Sequence, residues 1–203
     1  MLDNKASFPK RMPVGVYEKQ ICHKCEVSLG PGDGYIKIFL NSKPYTVKGE
    51  GVVGYVYNEY NLDLIEKFVL SLLWRSSISQ HDCFNAVRLG DDFETKVKNY
   101  LIGKTERPSE VQYYFKKFDQ CPGILMPIRL KVESLNTYLF NLGMWNIYIK
   151  VDSRPLIGVL EEFADHSHEI WVIHEEFRNS DSYKVMLNLA NLNKKYFKTP
   201  YDS

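Results

Sequence analysis

Residues 62–76 place apolar side chains around almost the whole circumference of a helix, and no other stretch narrows the fold as far. Leu62, Leu64, Ile65, Phe68, Val69, Leu72 and Leu73 cover most of its circumference, while Asp63, Lys67, Ser71 and Arg75, spaced four apart, form one narrow polar stripe. Such a helix is stable only when other elements wrap it. It is therefore predicted to be the central buried helix, with Asn61 or Asp63 capping its first turn, Trp74 in the core and Arg75 on a polar partner. A chain of 203 residues can enclose this helix in one core, whereas two halves would each be small. The expectation is a single domain over residues 1–203: an extended arm at 1–14, a knuckle and helical part at 15–107, and a β-rich part with a C-terminal helix at 108–203.

The flanking pattern supplies the wrapping. Pro9 and Pro13 break up an arm that carries Lys5, Lys10 and Arg11. A short strand is predicted at 14–20, then a tight knuckle at Cys22-His23-Lys24-Cys25 and a dense turn at Gly30-Pro31-Gly32-Asp33-Gly34. A brief apolar element at 35–40 and an irregular hairpin at 43–57 follow. Short and longer helices are expected at 81–87 and 91–102, the latter with acidic residues in its first turn. Beyond Pro108 the period changes from helical to alternating. Strands are predicted at 111–118, 124–132, 137–142, 145–151 and 169–174, with Gly143 at a turn and a helical turn at 156–163. Ser180 is expected to cap a C-terminal helix. Helices first and a mostly antiparallel sheet after them read as an α+β fold.

Charge and apolar run lengths limit the environment. Twenty-six basic and 25 acidic side chains give a formal net charge of +1, so contact with nucleic acid or anionic lipid requires a local patch. The longest apolar run, near residues 68–74, is far short of the roughly 20 residues that span a bilayer. Met1 leads into a polar stretch rather than a signal peptide. A cytoplasmic location without a membrane partner is expected. Four cysteines are too few for a disulfide framework at this length, which leaves reduced thiols or a metal knuckle.

Chemistry is concentrated in few places. Cys22 and Cys25 can supply half of a tetrahedral zinc site, and a third and fourth ligand would have to come from Cys83, Cys121, a histidine or a second chain. A thioredoxin-like redox role is less expected than a metal knuckle or plain thiols, because no helix with a βαβ context is predicted to open at Cys22. His166, His168 and His174 share the parity of Ile170 and Val172 in an extended backbone, with Glu162 and Glu175 nearby, so metal-assisted hydrolysis is one reading and solvated surface histidines another. His81 and Cys83 are too close in sequence to be expected to form a Cys/His pair on a helix. Gly49, Gly51 and Gly54 have dinucleotide-loop spacing but run into a strand pattern, which lacks the helix N-terminus that binds pyrophosphate. Lys10, Arg11 and Lys24, with Phe8 and Tyr17 among them, and Lys194 and Lys195 beside Tyr196 and Phe197 form two modest basic and aromatic patches suited to phosphate and bases.

Five segments carry a family likeness: Phe8-Pro9-Lys10-Arg11-Met12-Pro13-Val14-Gly15-Val16-Tyr17; Cys22-His23-Lys24-Cys25-Glu26; Gly30-Pro31-Gly32-Asp33-Gly34-Tyr35; Leu70-Ser71-Leu72-Leu73-Trp74-Arg75 with Ser77 and Ser79; and Tyr148-Ile149-Lys150-Val151-Asp152-Ser153-Arg154-Pro155. On these segments the chain resembles, nearly end to end, a family of bacterial proteins with no established activity. The resemblance implies relatives in which an earlier CxxC and a Ser-His-x-x-Pro segment complete a treble-clef-like knuckle similar in look to HNH nucleases. This chain lacks that segment.

The functional expectation is a non-catalytic interaction module or accessory subunit of a bacterial assembly, one that handles nucleic acid or answers phage infection. Its basis is the lack of a complete catalytic set beside abundant aromatics, which favour interfaces. A protein partner is expected, with nucleic acid as a further one, and Lys10, Arg11, Lys24, Lys194 and Lys195 as contacts. The alternative is a metal-dependent hydrolase or nuclease using His166, His168, His174 and Glu175, or the Cys22 and Cys25 knuckle. The cofactor expected is none or a single zinc.

Overall fold

The computed structural model describes residues 21–42, 44–49, 52–120, 126–164, 166–167 and 169–193. The predicted arm and the strand at 14–20 lie outside these residues, as do Lys10, Arg11, Cys121, His168, Lys194 and Lys195. No helix among the described residues is long and apolar enough to cross a membrane. The fold is α+β, with helices on a mostly antiparallel mixed sheet.

The central helix forms as its pattern requires. α2 spans Leu62–Ile78 and begins with the Asn61 side chain accepting from the Leu64 N–H at 3.1 Å. Ile65, Val69, Leu70 and Leu73 are fully buried, and Trp74 nearly so. The polar stripe divides in two. Asp63 and Lys67 pair at the surface at 2.7 Å, whereas Ser71 is buried and Arg75 reaches across to another helix.

That other helix corrects the sequence reading. Residues predicted as a knuckle, a turn and a short apolar element form one helix, α1, spanning His23–Asn41, with Pro31 inside it. Proline in a helix interior removes a hydrogen bond and costs about 3 kcal/mol, and each glycine adds roughly 1. Opposing these costs are Leu29, Ile36 and Phe39, each nearly fully buried and worth about 1.5–3 kcal/mol. Gly32 lies on the same stripe, where an added β-carbon would stand 3.1 Å from the Leu64 carbonyl oxygen and 3.2 Å from the Phe68 nitrogen. At this point α1 and α2 approach so closely that even a methyl group would push the two backbones apart by a few tenths of an ångström. One residue on, Asp33 takes both Arg75 terminal nitrogens, at 2.7 and 2.9 Å.

Among the described residues seven strands form one sheet in the order β1-β2-β7-β3-β6-β5-β4. They are β1 (Tyr45–Gly49), β2 (Val52–Tyr57), β3 (Val111–Phe118), β4 (Ile128–Val132), β5 (Leu135–Leu142), β6 (Trp145–Val151) and β7 (Ile170–Glu175). All neighbours are antiparallel except β3 and β7, which pair in parallel with Phe115 opposite Val172. The early hairpin therefore joins the same sheet as the later strands, so helices and strands are not segregated along the chain as predicted. Glu133 and Ser134, both at positive φ, make the two-residue turn from β4 to β5, and Gly143 at φ 68° opens the turn into β6.

The sheet separates two apolar layers. α1, α2 and α3 (Asp91–Leu101) cover the face that carries Val111, Tyr113, Phe115, Phe140, Ile147, Ile149 and Val172. On the opposite face Tyr114, Leu139 and Tyr148 pack with Leu156 and with Phe163 of α4 (Val159–Ala164). α5 (Asp181–Asn193) is anchored to that second face, with the Ser180 hydroxyl capping the Tyr183 N–H as predicted, Asn146 donating to Ser182 and Tyr148 to Asp181. Burial and the nearby Asp181 carboxylate push the Tyr148 phenol well above its ordinary range, so it remains a donor here.

Within α2 the burial differs sharply between neighbours, since Leu73 is sealed and Leu72 only half-buried. Leu73→Ala is expected to cost about 2–5 kcal/mol and Leu72→Ala about 1 kcal/mol, read as the shift in urea midpoint at unchanged slope.

Candidate functional site

The CxxC segment stands at the start of α1 rather than on a loop. Cys22 occupies the N-cap in extended conformation and is exposed, its carbonyl accepting the Glu26 N–H at 3.0 Å. Cys25 lies in the first turn and is half-buried. One helical turn brings residues three apart onto one side, and the two sulfurs are 3.3 Å from each other. A helix does open at Cys22, although the strands that follow it, β1 and β2, pair antiparallel and form no βαβ unit with it. Lys24 stands in the same turn.

The pair opens onto a groove of about 590 Å³. Its floor is Trp74 and Ile78 from the end of α2, its near wall is Ile21, Cys22 and Cys25, and its far wall is Asp91, Glu94, Thr95 and Lys98 of α3. A separate cavity of only about 10 Å³ lies beside Cys25, among Leu29, Leu101 and Ile102. The groove exists because three helix ends converge there: α1 begins, α2 finishes and α3 begins. Glu94 is held by the Ser77 hydroxyl at 2.5 Å, and that same hydroxyl accepts the Leu89 N–H at 2.9 Å, which fixes α3 against α2. Acidic side chains at Asp91, Asp92 and Glu94 occupy the first turn of α3, where the helix dipole favours them. Two carboxylates and one ammonium face the groove, so its wall is net acidic.

Of the three candidate histidines, His166 and His174 are described, and they stand apart. His166 is buried in the core, its Nε2 3.0 Å from the Tyr113 carbonyl oxygen and its ring 4.6 Å from the Tyr113 ring. The Tyr60 hydroxyl donates to the His166 carbonyl at 2.8 Å. His174 lies opposite Lys117, four residues further along β3 than Tyr113, which is about 13 Å of strand. There its Nδ1 meets the Tyr55 hydroxyl at 3.3 Å. Glu175 points to the other face of the sheet, where both its oxygens contact Lys116 at 3.4 Å. Among the described residues no three His, Cys, Asp or Glu side chains gather where they could hold a metal ion.

Three other polar arrangements were not foreseen. His81 is not on a helix but precedes the 3-10 turn Asp82–Phe84, and its Nδ1 meets the Cys83 N–H at 3.2 Å and the Cys83 sulfur at 2.8 Å. The contact judged out of reach for a helix is therefore made by an extended residue, and neither side chain lines the groove. Lys117 sits over the rings of Trp145 and Tyr55, at 4.8 and 5.2 Å from their centres, and burial lowers its ammonium below the ordinary lysine range. Lys150 is almost fully buried and donates to Gln112 at 2.8 Å, and burial lowers it likewise. The aromatic side chains whose surroundings are described are half-buried or buried. They fill both layers of the core, as the stacked pair Tyr114 and Tyr148 at 4.8 Å illustrates.

His166 therefore has a packing role and His174 a peripheral one. His166→Ala is expected to destabilise the protein by about 2–3 kcal/mol in urea unfolding, through the cavity and the stranded Tyr113 carbonyl, while His174→Ala costs under about 1 kcal/mol. No family model, curated protein or solved structure matches this chain.

Proposed function

We propose that the chain is an interaction module whose docking surface is the groove between the ends of α1, α2 and α3, and that its partner is a protein segment presenting a large apolar side chain beside basic residues. The observation that carries this reading is the juxtaposition of an apolar floor, Trp74 and Ile78, with the net acidic wall of α3. A cleft of this size is in the range that receives one or two side chains, roughly 300–1,000 Å³. Apolar contact on the floor supplies affinity, and the carboxylates of Asp91 and Glu94 select positive charge and steer the encounter. Trp74, nearly buried, is the rigid base of that floor: its indole is held by the core beneath and costs little ordering on binding.

Nothing in this reading requires a reaction or a bacterial assembly of a given kind. A role beside nucleic acid would rest on Lys10, Arg11, Lys194 and Lys195, which lie outside the described residues. The two classes of partner separate in one experiment. The full chain is immobilised and exposed to a random peptide library and, separately, to single-stranded oligonucleotides across salt concentrations. Peptides that pair an aromatic or aliphatic residue with Lys or Arg are expected to be retained, and Asp91→Lys should weaken them by about tenfold. Retention that ignores peptide charge and survives Asp91→Lys would contradict the groove as the surface. Tight oligonucleotide binding lost on neutralising Lys10, Arg11, Lys194 and Lys195 would replace the protein partner with nucleic acid.

A further inference from the structure

We propose that Cys22 and Cys25 form a reversible dithiol and disulfide pair, which exchanges with cationic disulfides that enter the acidic groove. Three observations converge on it. The sulfurs are already 3.3 Å apart, so a bond of about 2.05 Å needs a movement of only about 1.3 Å, within reach of a side-chain adjustment. Their exposure is unequal, with Cys22 open at the N-cap and Cys25 half-buried behind it. Both line a groove large enough to bring a disulfide against Cys22.

The unequal exposure assigns the roles. Cys22, as thiolate, attacks one sulfur of the incoming disulfide R–S–S–R′, forming a Cys22–S–S–R mixed disulfide, and R′–S⁻ leaves and takes up a proton. Cys25 then loses its proton and attacks the Cys22 sulfur, and R–S⁻ leaves as the second thiol. Two electrons pass from the protein dithiol to the external disulfide, which is reduced to two thiols, and an external dithiol reverses the sequence. The start of a helix favours negative charge, so α1 supports the attacking thiolate at Cys22. The choice of cationic disulfides rests on the acidic reading of Asp91 and Glu94, whereas the exchange itself stands on the two sulfurs.

The test uses the full chain with Cys83→Ser and Cys121→Ser, so that only the pair can react. The protein is treated with cystamine, which carries positive charge, or with glutathione disulfide, which carries negative charge, and alkylation followed by intact mass reports the products. A species lighter by about 2 Da, restored by dithiothreitol, is expected with both probes. Cys25→Ser should trap the mixed disulfide at Cys22, and Cys22→Ser should react about tenfold more slowly. Cystamine should be the faster probe, and Asp91→Asn should narrow its advantage. No 2 Da loss with either probe, trapping at equal rates in both single variants, or stoichiometric zinc on the two cysteines by elemental analysis would overturn the exchange. Equal rates with the two probes, with the disulfide still forming, would overturn the acidic selection alone.

Discussion

The contact between α1 and α2 at Gly32 is the constraint on which the rest of the helical layer depends. With an added β-carbon at Gly32 the Leu64 carbonyl would be only 3.1 Å away, so the helices touch backbone to backbone there. The bidentate pair of Asp33 with Arg75, half-exposed and worth about 1 kcal/mol, adds direction rather than bulk stability. Together they fix the rotation of α1 about its axis. That rotation puts Leu29, Ile36 and Phe39 into the core and carries Cys22 and Cys25 over the end of α2, beside Trp74. A different rotation would bury the thiols or turn them away from α3.

The sheet makes the platform for this arrangement and is itself held by unusual pairing. β3 and β7 are parallel neighbours in an otherwise antiparallel sheet, because β6 and β7 flank β3 and the chain between them passes across it. The crossing segment includes α4 and the buried His166, whose contact with Tyr113 ties it back to β3. Polar groups in this layer are committed to structure. Asn146 links β6 to Ser182 of α5, and Lys150 is satisfied by Gln112. The groove at the helix ends differs in kind, because Asp91 and Lys98 are exposed there beside Cys22, while Glu94 is held by Ser77.

Much of the sheet could be read from the sequence, since Trp145–Val151 and Val111–Phe118 alternate or run aromatic at a length that only a strand explains. α2 was equally plain, because a nearly all-round apolar helix has one stable environment. α1 was not, because local signals and tertiary packing conflict there. Gly30-Pro31-Gly32-Asp33-Gly34 has the composition of a turn, and only the spacing of Leu29, Gly32, Ile36 and Phe39, three or four apart, discloses a helix. Missing that stripe hid the site. CxxC on a loop suggests half a metal site, whereas the same residues at a helix N-terminus present one exposed thiol and one half-buried thiol in contact. For His166 and His174 parity gives the shared face, but it cannot tell that one ring packs on Tyr113 and the other lies beside Lys117.

The continuity of α1 through Pro31 is the claim from which the groove, the thiol geometry and the close helix contact all follow. Amide hydrogen exchange over residues 27–41, followed peptide by peptide on the full chain, tests it most directly. Apart from Pro31, which has no amide, these positions should exchange at least about a hundredfold more slowly than an unfolded chain, and Gly32→Val should release that protection along the whole helix. Exchange at unfolded rates across residues 27–35 in the unaltered protein, or a Gly32→Val variant as protected as the parent, would contradict it.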